Sequence, residues 1–297
     1  GDTGALYTPI DRSDVAAQLT GNFREGPVSL RTFGAPKDSI ASSVSAVRFD
    51  LRPGFQISGA LWTPINPSGV GVVVAHGHYG QGKSGAEAQE IAHRLAGRGA
   101  HVLAIDTPGV EEWSQPGRAI HFAEGAHNRG WLISTGSSAL ALQLDIVRRG
   151  VDVLEDLGVE RVGVAGASGG AVQAFYAAWI DPRIDAVAMA SVPRIPREAA
   201  AGGCICDQVP GHPGPDPSTL AAVEQPLLWM SDVQQERPVG LGGNASFVVL
   251  EGPHSYTLEM QRQTLTWFEE HLGLPGGSWI ESVPGYDLST GTEGTDG

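Results

Sequence analysis

Residues Glu160–Ala178 read ERVGVAGASGGAVQAFYAA, and the interpretation of this stretch decides the fold. Val162 to Ala165 is a run of small apolar residues, Gly166-Ala167-Ser168-Gly169-Gly170 follows it, and Ala171, Ala174, Phe175 and Ala178 then recur at helical spacing. The order is strand, sharp turn, helix. A serine in G-x-S-x-G at such a turn needs neighbours two positions away that lack side chains, and its hydroxyl is left standing above the sheet edge. Ser168 is therefore the candidate nucleophile. With 41 Gly in the chain, about a few tenths of such a match arises from composition alone. The weight comes from placement: this is the one match, and it sits between a strand-like and a helix-like run.

At 297 residues the chain can bury about three quarters of its unfolded surface, in one large domain or two small ones. Hydrophobic residues make up 41% and charged residues 18%, an ordinary globular balance. A formal charge of −14 argues against nucleic acid or an anionic membrane as partner, since both require a basic face. No apolar run reaches the roughly eighteen residues of a membrane span, and no signal peptide is visible. The chain begins at Gly1 rather than Met, so a processed or trimmed start is expected; the compartment is left open, with a secreted or periplasmic one favoured. Cys204 and Cys206 cannot form a disulfide framework, and C-x-C without further Cys or a nearby His is poor metal spacing, so neither metal nor cofactor is expected.

Residues 1–40 have no strong period beyond a short helix around Ser13–Leu19 and read as an arm on the surface. Val47–Leu51 and Phe55–Trp62 alternate about the turn Arg52-Pro53-Gly54, which predicts an antiparallel hairpin. From Val70 the strands become continuously apolar: Val70–Ala75, His101–Ile105, Val162–Ala165, Ala186–Ala190, Leu227–Met230 and Phe247–Leu250. Helical patterns at Ala86–Leu95, Ser138–Leu157 and Ala171–Trp179 separate the first four, and a last helix spans Leu258–Leu272. Apolar strands alternating with helices predict an α/β fold whose mostly parallel sheet is covered on both faces and is entered through the hairpin. Residues 41–272 form that domain. Two segments interrupt it, 111–135 and 191–225, both after the carboxyl ends of strands, where open α/β sheets bind ligands. They are expected to wall a pocket, with Trp113, Phe122, Trp131 and Trp229 as linings or, more simply, as core. Residues 273–297 read as a flexible acidic tail.

Gly77–Ser84, GHYGQGKS, matches the phosphate-loop pattern G-x-x-x-x-G-K-[ST] between a strand and a helix, and the next strand ends in Asp106. This is a serious rival. Against it, Lys37 and Lys83 are the only lysines, so the base-reading Asn-Lys-x-Asp of a GTPase is absent; two antiparallel strands precede the loop; and Ser168 and His254 are left unused. Lys83 then reads as a solvated residue at a helix start. In a serine hydrolase, the turn after this strand supplies one oxyanion-hole N–H and the residue after the nucleophile the other, which makes the amides of His78 and Gly169 the donors.

The base should follow the last strand. Glu251-Gly252-Pro253-His254 does so directly, and His254 is the candidate. The other histidines fall in predicted helices (His93, His271), at a strand start (His101), or in the insertions (His121, His127, His212). The acid belongs after Leu227–Met230, where the sequence is Ser231-Asp232-Val233-Gln234-Gln235-Glu236. Asp232 comes slightly early and Glu236 slightly late; either carboxylate can orient the imidazole. Asp232 is the first choice and Glu236 the alternative, with Asp207 or no acid at all remaining open.

Taken together, these motifs resemble the α/β-hydrolase superfamily, and within it the bacterial acetyl xylan esterase and dienelactone-hydrolase-like branch. The resemblance covers Val47 to Leu272. It rests on Ala75-His76-Gly77-His78, Gly166–Ala171, Asp181-Pro182-Arg183-Ile184, Gly202-Gly203-Cys204-Ile205-Cys206 with Val209-Pro210-Gly211, and Gly252-Pro253-His254-Ser255-Tyr256 leading to Trp267-Phe268. It implies a cofactor-free serine esterase acting on small-molecule or carbohydrate acyl esters. Relatives would have the aspartate where this chain has Gln234 and Gln235, and that departure motivates a further alternative, a hydrolase-fold protein that binds without cleaving. A phosphate-loop nucleotidase is the other.

Overall fold

The computed structural model describes residues 24–77, 81–107, 139–192 and 223–290. His78, Trp113, Phe122, Trp131, Cys204, Cys206, Asp207 and the short helix read at Ser13–Leu19 lie outside the described residues, as does most of the two insertions.

The described strands are β1 (Leu30–Asp38), β2 (Ser42–Arg52), β3 (Phe55–Pro64), β4 (Val70–Ala75), β5 (His101–Ile105), β6 (Arg161–Ala167), β7 (Ile184–Ala190), β8 (Leu227–Ser231) and β9 (Ala245–Val249). The helices are α1 (Ala86–Ala96), α2 (Ala139–Asp156), α3 (Gly169–Ile180) and α4 (Leu258–Leu272). All nine strands form one sheet in the order β1-β2-β3-β5-β4-β6-β7-β8-β9. The first three strands and the β3–β5 pair are antiparallel; every pairing from β5 to β9 is parallel.

Continuous apolar strands follow from this arrangement, because both faces are covered. On β4, Val73 packs with the cluster under α2 and α3, while Val70, Val72 and Val74 pack with the cluster under α1 and α4. The expected hairpin is present as β2 and β3, and the α/β layering is the one the alternation of elements predicts. Trp229 is fully buried in the core under α2 and α3 and is not a pocket wall.

Two expectations need correction. Within the supposed surface arm, residues 30–38 form edge strand β1, paired with β2 from Leu30↔Phe49 to Asp38↔Ser43 with a register shift between Phe33 and Lys37. Gly34, Pro36 and the mostly exposed side chains left no alternation to read; backbone pairing holds this strand, helped by the Phe33 ring beneath the Arg31 and Arg48 guanidinium groups. The tail reading also fails over 274–290. That segment lacks regular structure yet buries Leu274 and Leu288, and seats Trp279 against the guanidinium groups of Arg94 and Arg262 at 4.4 and 4.5 Å. Gln89 on α1 donates to Tyr286 O and accepts from Tyr286 N, at 3.0 and 2.8 Å. A few spaced anchors in a polar segment leave no periodic signal, yet suffice to strap it down.

His93 on α1 and His101 at the start of β5 both bind a proton more weakly than an ordinary histidine because burial disfavours the imidazolium, and Arg94 adds to this at His93. The unfolded chain therefore takes up protons more readily. The stability these two contribute is complete above the ordinary value of 6.5 and is lost as pH falls below it. We expect a lower Tm at about pH 5.5 than at about pH 7.5, and His93→Gln to reduce that difference. An unchanged difference in the variant removes His93 from the account.

Candidate active site

Ser168 links β6 to α3 with φ 54° and ψ −118°, outside the regions that L-residues ordinarily occupy. Such strain persists only where surrounding structure over-determines it. Two glycines make the turn sterically feasible. A Cβ on Gly170 would lie 2.1 Å from Ala75 O at the end of β4, and one on Gly166 would lie 2.2 Å from Gly170 O. The turn is thus pressed against the neighbouring strand, which raises the serine to the carboxyl edge of the sheet. Ser168 N donates to Ala190 O at 2.9 Å, tying the turn to β7.

His254 reaches the same edge from the loop between β9 and α4. Leu250 N donates to Ser231 O at 2.7 Å and Gly252 N to Asp232 O at 3.1 Å, so this loop is laced to the end of β8. His254 Nε2 lies 2.9 Å from Ser168 Oγ, and Nδ1 lies 2.6 Å from Asp232 Oδ2. The tautomer satisfying both contacts has its proton on Nδ1, donated to Asp232, and accepts from the serine hydroxyl at Nε2. Exposure is graded along the chain of groups: Asp232 is 6% exposed, Ser168 8%, and the His254 side chain 52%. The carboxylate is sheltered while the imidazole opens to the solvent side.

His254 has Asp232, not Glu236, as its carboxylate partner; Glu236 is exposed further along the loop. Gln234, at the position where the resemblance puts an acid, instead donates to Glu251. Gly169 is the first residue of α3, so its N–H has no acceptor within the helix and is available at the serine. The second donor candidate, His78, lies outside the described residues, although Gly77 directly before it is at the β4 edge beside this turn.

Lys83 corrects the sequence reading. It is not solvated but completely buried, with Nζ 2.6 Å from Asp106 Oδ2 and its own N–H donating to Oδ1 at 2.8 Å. Ser58 Oγ also donates to Oδ2, at 2.7 Å. The partner carboxylate lies 23 residues away at the end of β5, out of reach of any local pattern. Gly82–Ser84 is a separate 3-10 turn, and α1 starts only at Ala86, after an extended Gly85. A phosphate-binding loop has its lysine ammonium free to meet phosphate at the helix mouth; this one is paired inside the protein.

A cavity of about 180 Å³ opens next to the serine turn, bordered by Ala75, Gly77, Ala86, Glu87, Ala167 and Tyr256 among others. Its lining is mostly apolar, with His76, Gln81 and Glu87 as its polar members. Tyr256 is buried, its hydroxyl within 2.7 Å of Thr264 Oγ1, and burial pushes its pKa up, so it is a neutral wall. Among the described residues, no three His, Cys, Asp or Glu side chains cluster to hold a metal, and no helix is long and apolar enough to cross a membrane.

No protein-family model and no curated protein matches this sequence. Solved structures do match in fold. The chain is similar to the methylesterase BT1017, with 18% identity over 89% of this chain and 63% of that one, at a TM-score of 0.68. It thus spans less than two thirds of that protein's length. It is similar to an acetyl xylan esterase from Paenibacillus sp. R4, with 15% identity over 88% and 92% of the two chains and a TM-score of 0.59. A glucuronoyl esterase from Solibacter usitatus is 13% identical over 86% and 90%, with a TM-score of 0.57. At such identities the likeness is one of fold. A mostly parallel sheet entered through an antiparallel hairpin gives this chain the α/β-hydrolase fold that these solved esterase structures share.

Proposed function

We propose that the protein is a serine hydrolase that cleaves carboxylic esters through an acyl-enzyme. One observation carries the reading: Ser168, His254 and Asp232, spread over 87 positions of the chain, form an unbroken hydrogen-bonded series at the carboxyl edge of the sheet. Ser168 Oγ attacks the ester carbonyl while His254 Nε2 takes its proton, and the imidazolium returns that proton to the leaving alcohol. Asp232 holds the ring and stabilises its charge. Water, activated by the same histidine, then releases the acid. The amides of Gly169 and His78 receive the developing oxyanion, each worth roughly a hundredfold or more in rate. The scheme needs no cofactor.

A small-molecule or carbohydrate acyl ester is the substrate class this reading favours. The small apolar cavity beside Ala167 fits a short acyl group. The esterase structures of like fold support ester chemistry over the other readings. The nucleotidase alternative loses its lysine to Asp106, and the non-cleaving alternative, prompted by Gln234 and Gln235, loses its motive once Asp232 supplies the carboxylate.

A fluorophosphonate probe tests this directly. It should label the parent protein at Ser168 and leave Ser168→Ala unlabelled, because only a serine with an adjacent base is nucleophilic enough to react. Equal labelling of both proteins would overturn the assignment.

A further inference from the structure

The three site-bearing segments converge on one tripeptide, Ala190-Ser191-Val192, at the carboxyl end of β7. Ala190 O accepts from Ser168 N at 2.9 Å, and Val192 N donates to Met230 O at 3.2 Å, two residues before Asp232. Between them, Ser191 Oγ donates to Ser255 O at 2.6 Å, beside His254. The first and third bonds are main-chain links of the kind that join neighbouring strands. The second is a side-chain bond reaching 64 residues along the chain, from a serine that is 0% exposed, to a loop in which residues 251–254 are exposed.

Ser191 also holds an unusual backbone conformation. Its φ is 45°, and among the described residues only Ser168 shares a positive φ without being glycine. A position that favours glycine but holds serine points to a use for the hydroxyl. That hydroxyl is aimed at the Ser255 carbonyl. From the other side, Glu87 Oε2 accepts from Tyr256 N at 2.8 Å, and Gly252 N is bound to Asp232 O. His254 therefore hangs between Gly252, held on Asp232, and the Ser255–Tyr256 peptide, whose N–H is held by Glu87 and whose carbonyl accepts from Ser191 Oγ and, at 3.0 Å, from Thr257 N.

We propose that Ser191 is a positioning residue for the base: through the Ser255 carbonyl its hydroxyl sets where the His254 imidazole stands relative to Ser168 Oγ. The inference rests on the reading of Ser168 and His254 as nucleophile and base. A displacement of about 1 Å between reacting groups can cost on the order of a hundredfold in rate, while substrate binding away from the imidazole is unaffected.

Ser191→Gly separates this role from a merely structural one, because glycine accepts φ 45° without strain but lacks the hydroxyl. We expect kcat on p-nitrophenyl acetate and the rate of fluorophosphonate labelling to fall about 10- to 100-fold, with KM within twofold and Tm close to the parent. Ser191→Ala, assayed well below its Tm, should lose activity similarly and guards against a folding failure of the glycine variant. If the parent shows Ser168-dependent labelling and both variants label and turn over within twofold of it, the inference is overturned and the esterase reading stands. If the parent shows no Ser168-dependent labelling, both fall.

Discussion

Ser168→Ala and His254→Ala should each lower kcat on a p-nitrophenyl ester by about 10⁴- to 10⁶-fold, with a far smaller change in KM. The magnitude follows from the geometry. In the proposed scheme the serine hydroxyl attacks only while His254 Nε2, 2.9 Å away, takes its proton, so removing either partner removes the same step. For that reason the double variant should be scarcely worse than either single one. Asp232→Asn should cost about 10⁴-fold, because an amide NH2 turned to Nδ1 holds the ring in the wrong tautomer and a neutral side chain does not stabilise the imidazolium. Glu236→Gln should be close to the parent, since Glu236 is exposed and His254 has its 2.6 Å contact with Asp232. Steady-state kinetics on the four variants decide the matter: a Ser168→Ala protein within tenfold of the parent, or a Glu236→Gln protein slower than Asp232→Asn, contradicts the scheme.

Lys83→Met should have the largest effect on stability. The ammonium is the cation paired with Asp106 in a site where both side chains are 0% exposed, and its loss leaves a buried carboxylate without its counter-charge. Breaking such a pair from one side costs about 3–5 kcal/mol. In a chain of this size that corresponds to a Tm lower by on the order of 10 °C. Asp106→Asn added to Lys83→Met should recover much of the loss, because it removes the buried charge while the amide oxygen still accepts from Lys83 N–H and the amide NH2 donates to Ser58 Oγ, whose hydroxyl turns to accept. The nucleotidase reading expects the opposite: a stable Lys83→Met protein, and a parent whose Tm rises with ATP or GTP and magnesium. Thermal melts of the two variants, and of the parent with nucleotide, separate the two accounts.

Much of the architecture was legible because its causes are local. β4 and β5 begin and end where their apolar runs do, and α4 spans Leu258–Leu272 as its spacing predicts. That helix is delimited by its own chemistry: Thr257 accepts from Met260 N at the start, and Gly273, at φ 62°, ends it. The places of Ser168, at the β6–α3 turn, and of His254, on the loop after β9, were legible because each is defined by the element beside it. Edge strand β1 was not, since an edge held by main-chain pairing needs no apolar face. Nor was the strap at 274–290, whose anchors Leu274, Trp279 and Leu288 are too widely spaced to form a period.

The sequence by itself determined the order of strands and helices from β2 onward, the turn that lifts Ser168, and the loop that bears His254, because periodicity, glycine spacing and capping act within a few residues. Only the tertiary structure decided which carboxylate meets the imidazole, that Lys83 is an internal counter-ion, and that Ser191 bonds the histidine loop. Each of these depends on segments 20 or more residues apart meeting at one sheet edge. A side chain's local neighbours leave its distant partner unspecified until the register of the sheet and the packing of the loops have set the distances.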